Sequence, residues 1–117
     1  MALTMTNSQD ADSCMDACNI CHQICLQTAM TQCLESGGKH VEPEHLRLMM
    51  NCAEICQTSS NFLLSSSMFS EQICRVCCDI CEACAESCEK IGDMEECAFA
   101  CRDCAESCRN MRGNAEN

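Results

Sequence analysis

Cys77-Cys-Asp-Ile-Cys81-Glu-Ala-Cys84-Ala-Glu-Ser-Cys88 is followed, twenty residues on, by Cys97-Ala-Phe-Ala-Cys101-Arg-Asp-Cys104-Ala-Glu-Ser-Cys108. The cysteines fall three and four residues apart, the spacing that keeps side chains on one face of an α-helix. At ~100° per residue, Cys97, Cys101, Cys104 and Cys108 share roughly 60° of the helical wheel. Cys74, Cys77, Cys78, Cys81, Cys84 and Cys88 share roughly 120°. The other faces carry Glu, Asp, Arg, Gln and Asn. Thiols therefore occupy the positions at which a helical bundle normally places Leu and Ile. The repeat predicts two similar thiol-striped helices forming a hairpin.

The same pattern extends towards the N-terminus. Cys14, Cys18, Cys21 and Cys25 form a third stripe of roughly 60°. Cys33 falls towards its edge and has no cysteine four residues away. The remaining stripe reads His45, Met49, Cys52, Cys56, Ser59, Leu63, all within about 80°. Gly37-Gly38 ends the first helix, and Pro43 suits the first turn of the second. Ser65-Ser66-Ser67 and Ser70 mark the next break and offer N-caps for the third helix. Gly92 ends the third helix, and Asp93 with Glu96 resembles a capping box for the fourth. The expected helices are 10–36, 43–65, 68–91 and 93–111, in a single domain spanning 1–117 with polar tails expected to fray. Connections this short predict an all-α fold, an antiparallel up-down four-helix bundle with a Cys-lined core.

Composition agrees with a core of unusual chemistry. The 117 residues include 17 Cys and 9 Met but only 18 Leu, Ile, Val and Phe together, with a formal charge of −11. Such a balance ordinarily goes with disorder. The strict periodicity implies instead that sulfur replaces hydrocarbon, since buried free Cys behaves as a small apolar residue. The cysteine count is odd. The opening residues lack a basic n-region and an apolar h-region, so a cytoplasmic location with reduced thiols is expected. No apolar run approaches the ~20 residues of a membrane span. The acidity and the absence of basic clusters, Trp and Tyr exclude nucleic acid and anionic membranes as expected partners.

A seam of thiols invites metal. Cysteines at i and i+4 have Cβ atoms about 5–6 Å apart, so two thiolates can hold one ion between them almost linearly. That geometry and soft thiolate ligands select Cu(I). Zinc requires closed tetrahedral sets of four, which a continuous stripe does not supply. Charge points the same way. One Cu(I) per thiolate leaves the interior neutral, and buried net charge is very costly, so on the order of 15–20 ions per chain are expected. Zn(II) on four thiolates would leave every site doubly negative. In an antiparallel bundle His45, Met49 and Met94 share the end near Gly37 and Gly92. The opposite end receives Leu63, Phe62 and Phe69. His and Met bind Cu(I) more weakly than thiolate does, so the first end reads as the entrance and the second as a plug. His40 in the adjoining loop is a weaker candidate ligand, and His22 reads as a surface residue.

The Cys-x-x-x-Cys pairs at 14/18, 21/25, 52/56, 74/78, 77/81, 84/88, 97/101 and 104/108, the segment Asn51-Cys-Ala-Glu-Ile-Cys56 and the two Cys-x-x-Cys-Ala-Glu-Ser-Cys blocks resemble the copper storage proteins, in particular their cytosolic branch. The resemblance covers nearly the whole chain. It implies an antiparallel four-helix bundle filled with Cu(I) thiolates, a homotetramer and a His/Met entrance. The implied function is copper sequestration, detoxification and supply, without catalysis. A copper chaperone or a small-molecule thiol is the expected partner for loading and release. The role of Cys33 carries over less directly, because it lacks an i,i+4 partner. Phe99 and Val76, away from the thiol face, are candidates for contact with another subunit.

Three rival readings meet obstacles in the same residues. Cys78-x-x-Cys81-x-x-Cys84-x-x-x-Cys88 matches a ferredoxin spacing, but Glu89 stands where the usual proline would be and the intervening residues favour helix over a cluster-wrapping loop. Disulfide-stapled hairpins conflict with the odd count and the missing secretory signal. Glu42-Pro-Glu-His45 contains one Glu-x-x-His, whereas a di-iron bundle needs two and further inward glutamates. No single cysteine is set apart as a peroxidatic or sensing thiol.

Overall fold

The computed structural model describes the backbone of residues 2–116 and the side chains of residues 9–111. The expectation of frayed tails falls largely outside these described side chains. Helix α1 comprises Ala2–Thr28, a single π turn at Ala29–Cys33 and a last turn at Leu34–Ser36. A 3-10 turn at Gly38–Val41 leads to α2 (Pro43–Leu64), followed by α3 (Ser70–Ile91) and α4 (Glu95–Glu116). Among the described residues there is no strand. Each helix packs on two others, α1 on α2 and α4, and α3 on α2 and α4. The result is an antiparallel four-helix bundle 52 × 21 × 18 Å in extent.

The breaks follow local chemistry. Gly37 and Gly92 adopt φ of +66° and +86°, which only glycine reaches without strain, and their amides bond back to the carbonyls of Cys33 and Cys88. Pro43 occupies the first turn of α2, where its missing N–H costs nothing. The serines between α2 and α3 act differently from the expected caps. Phe69 holds the N-cap position and receives no side-chain cap; the Ser67 hydroxyl accepts from the Phe69 amide, and Ser70 donates to the carbonyls of Ser67 and Phe62. The hydroxyls thus close the loop instead of capping the helix. Asp93 also departs from its expected capping role. Its φ of +59° puts it in the turn, its carbonyl accepts from Gln32 Nε2, and α4 begins at Glu95.

The interior is sulfur and methyl. Every cysteine is buried and none is in a disulfide. Between them lie Ala17, Ala29, Ala53, Ala85, Ala98, Ala100 and Ala105, which let the helices approach closely. Among the described Leu, Ile, Val and Phe residues, Leu63 alone is buried. The Phe/Leu plug is therefore smaller than expected: Phe62 is half-buried, and Phe69, at the loop's edge, is 53% exposed. Phe99 and Val76 also face outward.

Cys33 is the residue that helical arithmetic misplaces. Eight residues after Cys25, a regular α-helix would carry it about 80° off the stripe. The π turn takes up one extra residue, which sets the following positions back by about 100° and returns Cys33 to the seam. It is completely buried there.

Candidate metal centre

The four stripes converge on one axis, and the closest sulfur neighbours come mostly from different helices. Cys25 Sγ lies 3.5 Å from both Cys97 and Cys101, Cys14 lies 3.6 Å from Cys108, and Cys18 lies 3.6 Å from Cys104. Cys52 and Cys81 are 3.6 Å apart, and Cys56 is 3.7 Å from Cys81 and from Cys104. Pairs four residues apart on one helix are longer: 3.8 Å for both Cys21–Cys25 and Cys77–Cys81. The expected intrahelical pairing is thus joined, and mostly outdone, by contacts across the axis, because the side chains lean inward to where facing helices meet.

The sulfurs fall into compact groups that share corners. Cys21, Cys25, Cys52 and Cys101 lie within 4.8 Å of one another, as do Cys21, Cys56, Cys81 and Cys104, then Cys18, Cys77, Cys104 and Cys108, then Cys14, Cys74 and Cys108. Cys21, Cys104 and Cys108 each belong to two groups, so the groups form an unbroken chain along the bundle. Shared corners prevent each four-sulfur group from acting as a separate closed tetrahedral site. They suit metal ions bridged by common thiolates. Cys78, on the edge of the α3 stripe, is grouped with the carboxylates of Asp79 and Glu82.

The seam continues to the end near Gly37 and Gly92. Met49 is fully buried, with its Sδ 3.7 Å from Cys84, 3.6 Å from Cys88 and 3.7 Å from Cys97. Cys88 and Cys97 are themselves 3.7 Å apart. His45 is buried beside them, with Nε2 3.9 Å from Cys33 Sγ and Nδ1 2.7 Å from the Ser87 hydroxyl. Ser87 thereby fixes the ring so that Nε2 faces the thiols, the usual way in which an outer hydrogen bond orients a ligating imidazole. Met94 is buried at this end as well. A cavity of about 420 Å³ reaches Cys88 and Met94, and another of about 420 Å³ reaches His45 and Ser87. His40 stands in the 3-10 turn with its Nδ1 buried and without a partner. His22 is occupied elsewhere: its Nδ1–H donates to the Ala53 carbonyl at 2.8 Å.

The electrostatics of the seam are those of an interior without counter-ions. Among the described residues the only buried polar side chains are His45, Ser59 and Ser60. The arginines pair outside, Arg102 with Glu89 at 2.9 Å and Arg109 with Glu106 at 2.9 Å and with Glu82. Burial pushes the Cys33 thiol above its ordinary range and the His45 imidazole below its own, which keeps that ring neutral and its Nε2 lone pair open to metal at neutral pH. Hydrogen bonds among the thiols then separate neighbours. Cys101 and Cys25 hold Cys97 down at about 5, while Cys56 and Cys101 are pushed up by their bonds to Cys104 and Cys21. With no buried cationic side chain among the described residues to balance them, thiolate charges that accumulate along the seam are costly, and exchanging protons for metal ions of single charge keeps it neutral.

Helical periodicity locates the seam and the His45–Met49 pair. Ser87, the corner-sharing of Cys21, Cys104 and Cys108, and the restored position of Cys33 escape it. The one local trace of the first is that Ser87 and Ser107 repeat within the two thiol blocks.

Residues 7–113 match the sequence family described as copper storage protein. The crystal structure of the Nmul_A1745 protein from Nitrosospira multiformis is 62% identical over 90% of this chain and 96% of that one, with a TM-score of 0.88. The Cu(I)-bound copper storage protein BsCsp3 is 38% identical over 88% of this chain and 98% of its own, with a TM-score of 0.81. The cysteine-rich protein YhjQ of Bacillus subtilis (strain 168) is 38% identical over 71 residues, which span 61% of this chain and 65% of that protein.

Proposed function

Since the chain belongs to the copper storage protein family, we propose that it binds and stores many Cu(I) ions on the thiolates of its core, roughly one per cysteine and on the order of 15–20 in all. The ligands are the whole cysteine set, together with His45 and Met49 at the entrance. The observation that carries this reading is the burial of every thiol, twelve of them in one chain of corner-sharing groups, in an interior that contains no cationic side chain among the described residues. An interior of that kind is neutral when each bridging thiolate has exchanged its proton for a monovalent, soft ion. The likeness to a protein solved with Cu(I) bound supports the same choice.

The role is sequestration and supply, without catalysis. Reduced thiols in this number suit the cytoplasm. No helix among the described residues is long and apolar enough to cross a membrane. The outward-facing Phe99 and Val76 suit packing in a homotetramer. A copper chaperone or a small-molecule thiol is the partner for loading and release.

Cu(I) enters at His45 and Met49 and passes from sulfur to sulfur, exchanging one ligand at each step. Anaerobic titration with Cu(I) against a competing chelator tests the whole reading: more than about ten tightly held ions per chain are expected, and an end point at two or three would refute it. For the entrance, replacing both His45→Ala and Met49→Leu is expected to slow uptake about tenfold while leaving the final number of ions within about two of the wild type, because these are the weaker, exchangeable ligands. Stopped-flow mixing with a Cu(I)–chelator complex measures it, and an unchanged rate places the entrance elsewhere.

A further inference from the structure

The wall of the seam is broken by a hydroxyl on α2. Going from the entrance, the inward positions of that helix are His45, Met49, Cys52, Cys56, Ser59 and Leu63, all buried. Ser59 is completely buried, and its Oγ has no hydrogen-bond partner. An orphaned buried hydroxyl carries its full desolvation cost, which a plain alanine would avoid.

Register puts Ser59 beside the last sulfur group. Cys56 Sγ lies 3.9 Å from Cys77 and 3.7 Å from Cys104. One turn further from the entrance, α3 presents Cys74, α4 presents Cys108 and α1 presents Cys14. These three sulfurs form the closed-end group, which has three members where the other all-thiol groups have four. The helix that contributes no sulfur to it is α2, and at that level α2 carries Ser59.

We infer that Ser59 is the fourth corner of the closed-end site, a hydroxyl that donates its hydrogen bond to the thiolates of Cys14, Cys74 or Cys108 once Cu(I) has replaced their protons. The inference rests on the storage reading. A neutral thiol is a weak acceptor, so the hydroxyl is orphaned in the empty protein. A thiolate bears charge and accepts strongly, so the same hydroxyl is satisfied in the loaded one. Its oxygen is too hard to compete with sulfur as a Cu(I) ligand, so Ser59 positions and stabilises the metal-bound sulfurs without binding the ion. Each proton displaced from a thiol leaves to solvent as Cu(I) arrives.

The test is Ser59→Ala in the full chain, handled anaerobically. The empty variant is expected to melt at the wild-type temperature or higher. In the loaded state one or two ions are expected to be lost to a competing chelator about tenfold more readily than from the wild type, with the others unaffected. Ser59→Cys is expected to raise the capacity by about one ion, since it completes a four-thiol corner. A lower melting temperature of empty Ser59→Ala would mean that the hydroxyl has a structural partner, and wild-type retention of every ion would mean that it does not see the thiolates; either overturns the inference. A wild-type chain that takes up only two or three ions sinks the storage reading, and this one with it. The Ser59→Ala comparisons concern Ser59 alone.

Discussion

Filling the bundle with Cu(I) is expected to raise its thermal unfolding midpoint by several tens of degrees. The empty core is a weak one. Leu63 is its one buried branched aliphatic residue among those described, and apart from His45, Ser59 and Ser60 the rest is thiol, thioether and methyl, which bury less apolar area per residue than Leu or Ile. Every thiol that binds metal turns a van der Waals contact between helices into a coordinate bond, and the groups draw on three or four helices at once. Metal affinity that depends on the folded arrangement appears directly as folding stability. The unfolded chain also has thiols and also binds Cu(I), so only the difference counts. Even about 1 kcal/mol per ion in favour of the folded state, over roughly 15 ions, is larger than the whole stability of many domains. At about 3–5 °C per kcal/mol for a domain of this size, the shift is on the order of 40 °C or more. Anaerobic calorimetry of the empty and loaded forms measures it. Equal midpoints would mean that the sulfurs bind copper without cross-linking the helices, and the loaded state would have to be something other than this bundle.

The second large effect concerns the path. Cys21, Cys25, Cys52 and Cys101 form the group nearest the entrance half, and Cys21 joins it to the groups beyond. If ions travel by exchange between neighbouring sulfurs, removing this group strands the far thiols. The variant with all four replaced by Ala is expected to lose far more than four ions on the timescale of wild-type loading, with the missing capacity filling at least about a hundredfold more slowly by opening of the bundle. Replacing Cys14, Cys74 and Cys108 at the closed end provides the control, because their loss should remove only their own share and leave the rate untouched. Far-UV circular dichroism of each empty variant checks that the helices persist. Loss of four ions with unchanged kinetics would end the relay while leaving storage intact.

Much of this was legible in the residues because a helix is a local object. A turn of 3.6 residues sets which side chains share a face, whatever they later meet. From that rule come the inward direction of the thiol stripes and the His45–Met49 face of α2, and glycine's place at helix ends adds the breaks at Gly37 and Gly92. The softness of sulfur and the cost of buried charge then point to many monovalent ions. The rule failed where a single residue changed the count: the π turn at Ala29–Cys33 returned Cys33 to a seam from which regular helical geometry had turned it away. It was silent on matters settled between helices. That the nearest neighbours of Cys25 are Cys97 and Cys101, that Ser87 holds His45, that Phe69 stays outside and that Ser59 is buried without a hydrogen-bond partner all depend on the register and rotation of one helix against another. Those quantities are fixed by packing and loop lengths summed over the whole bundle, and no stretch of chain contains them.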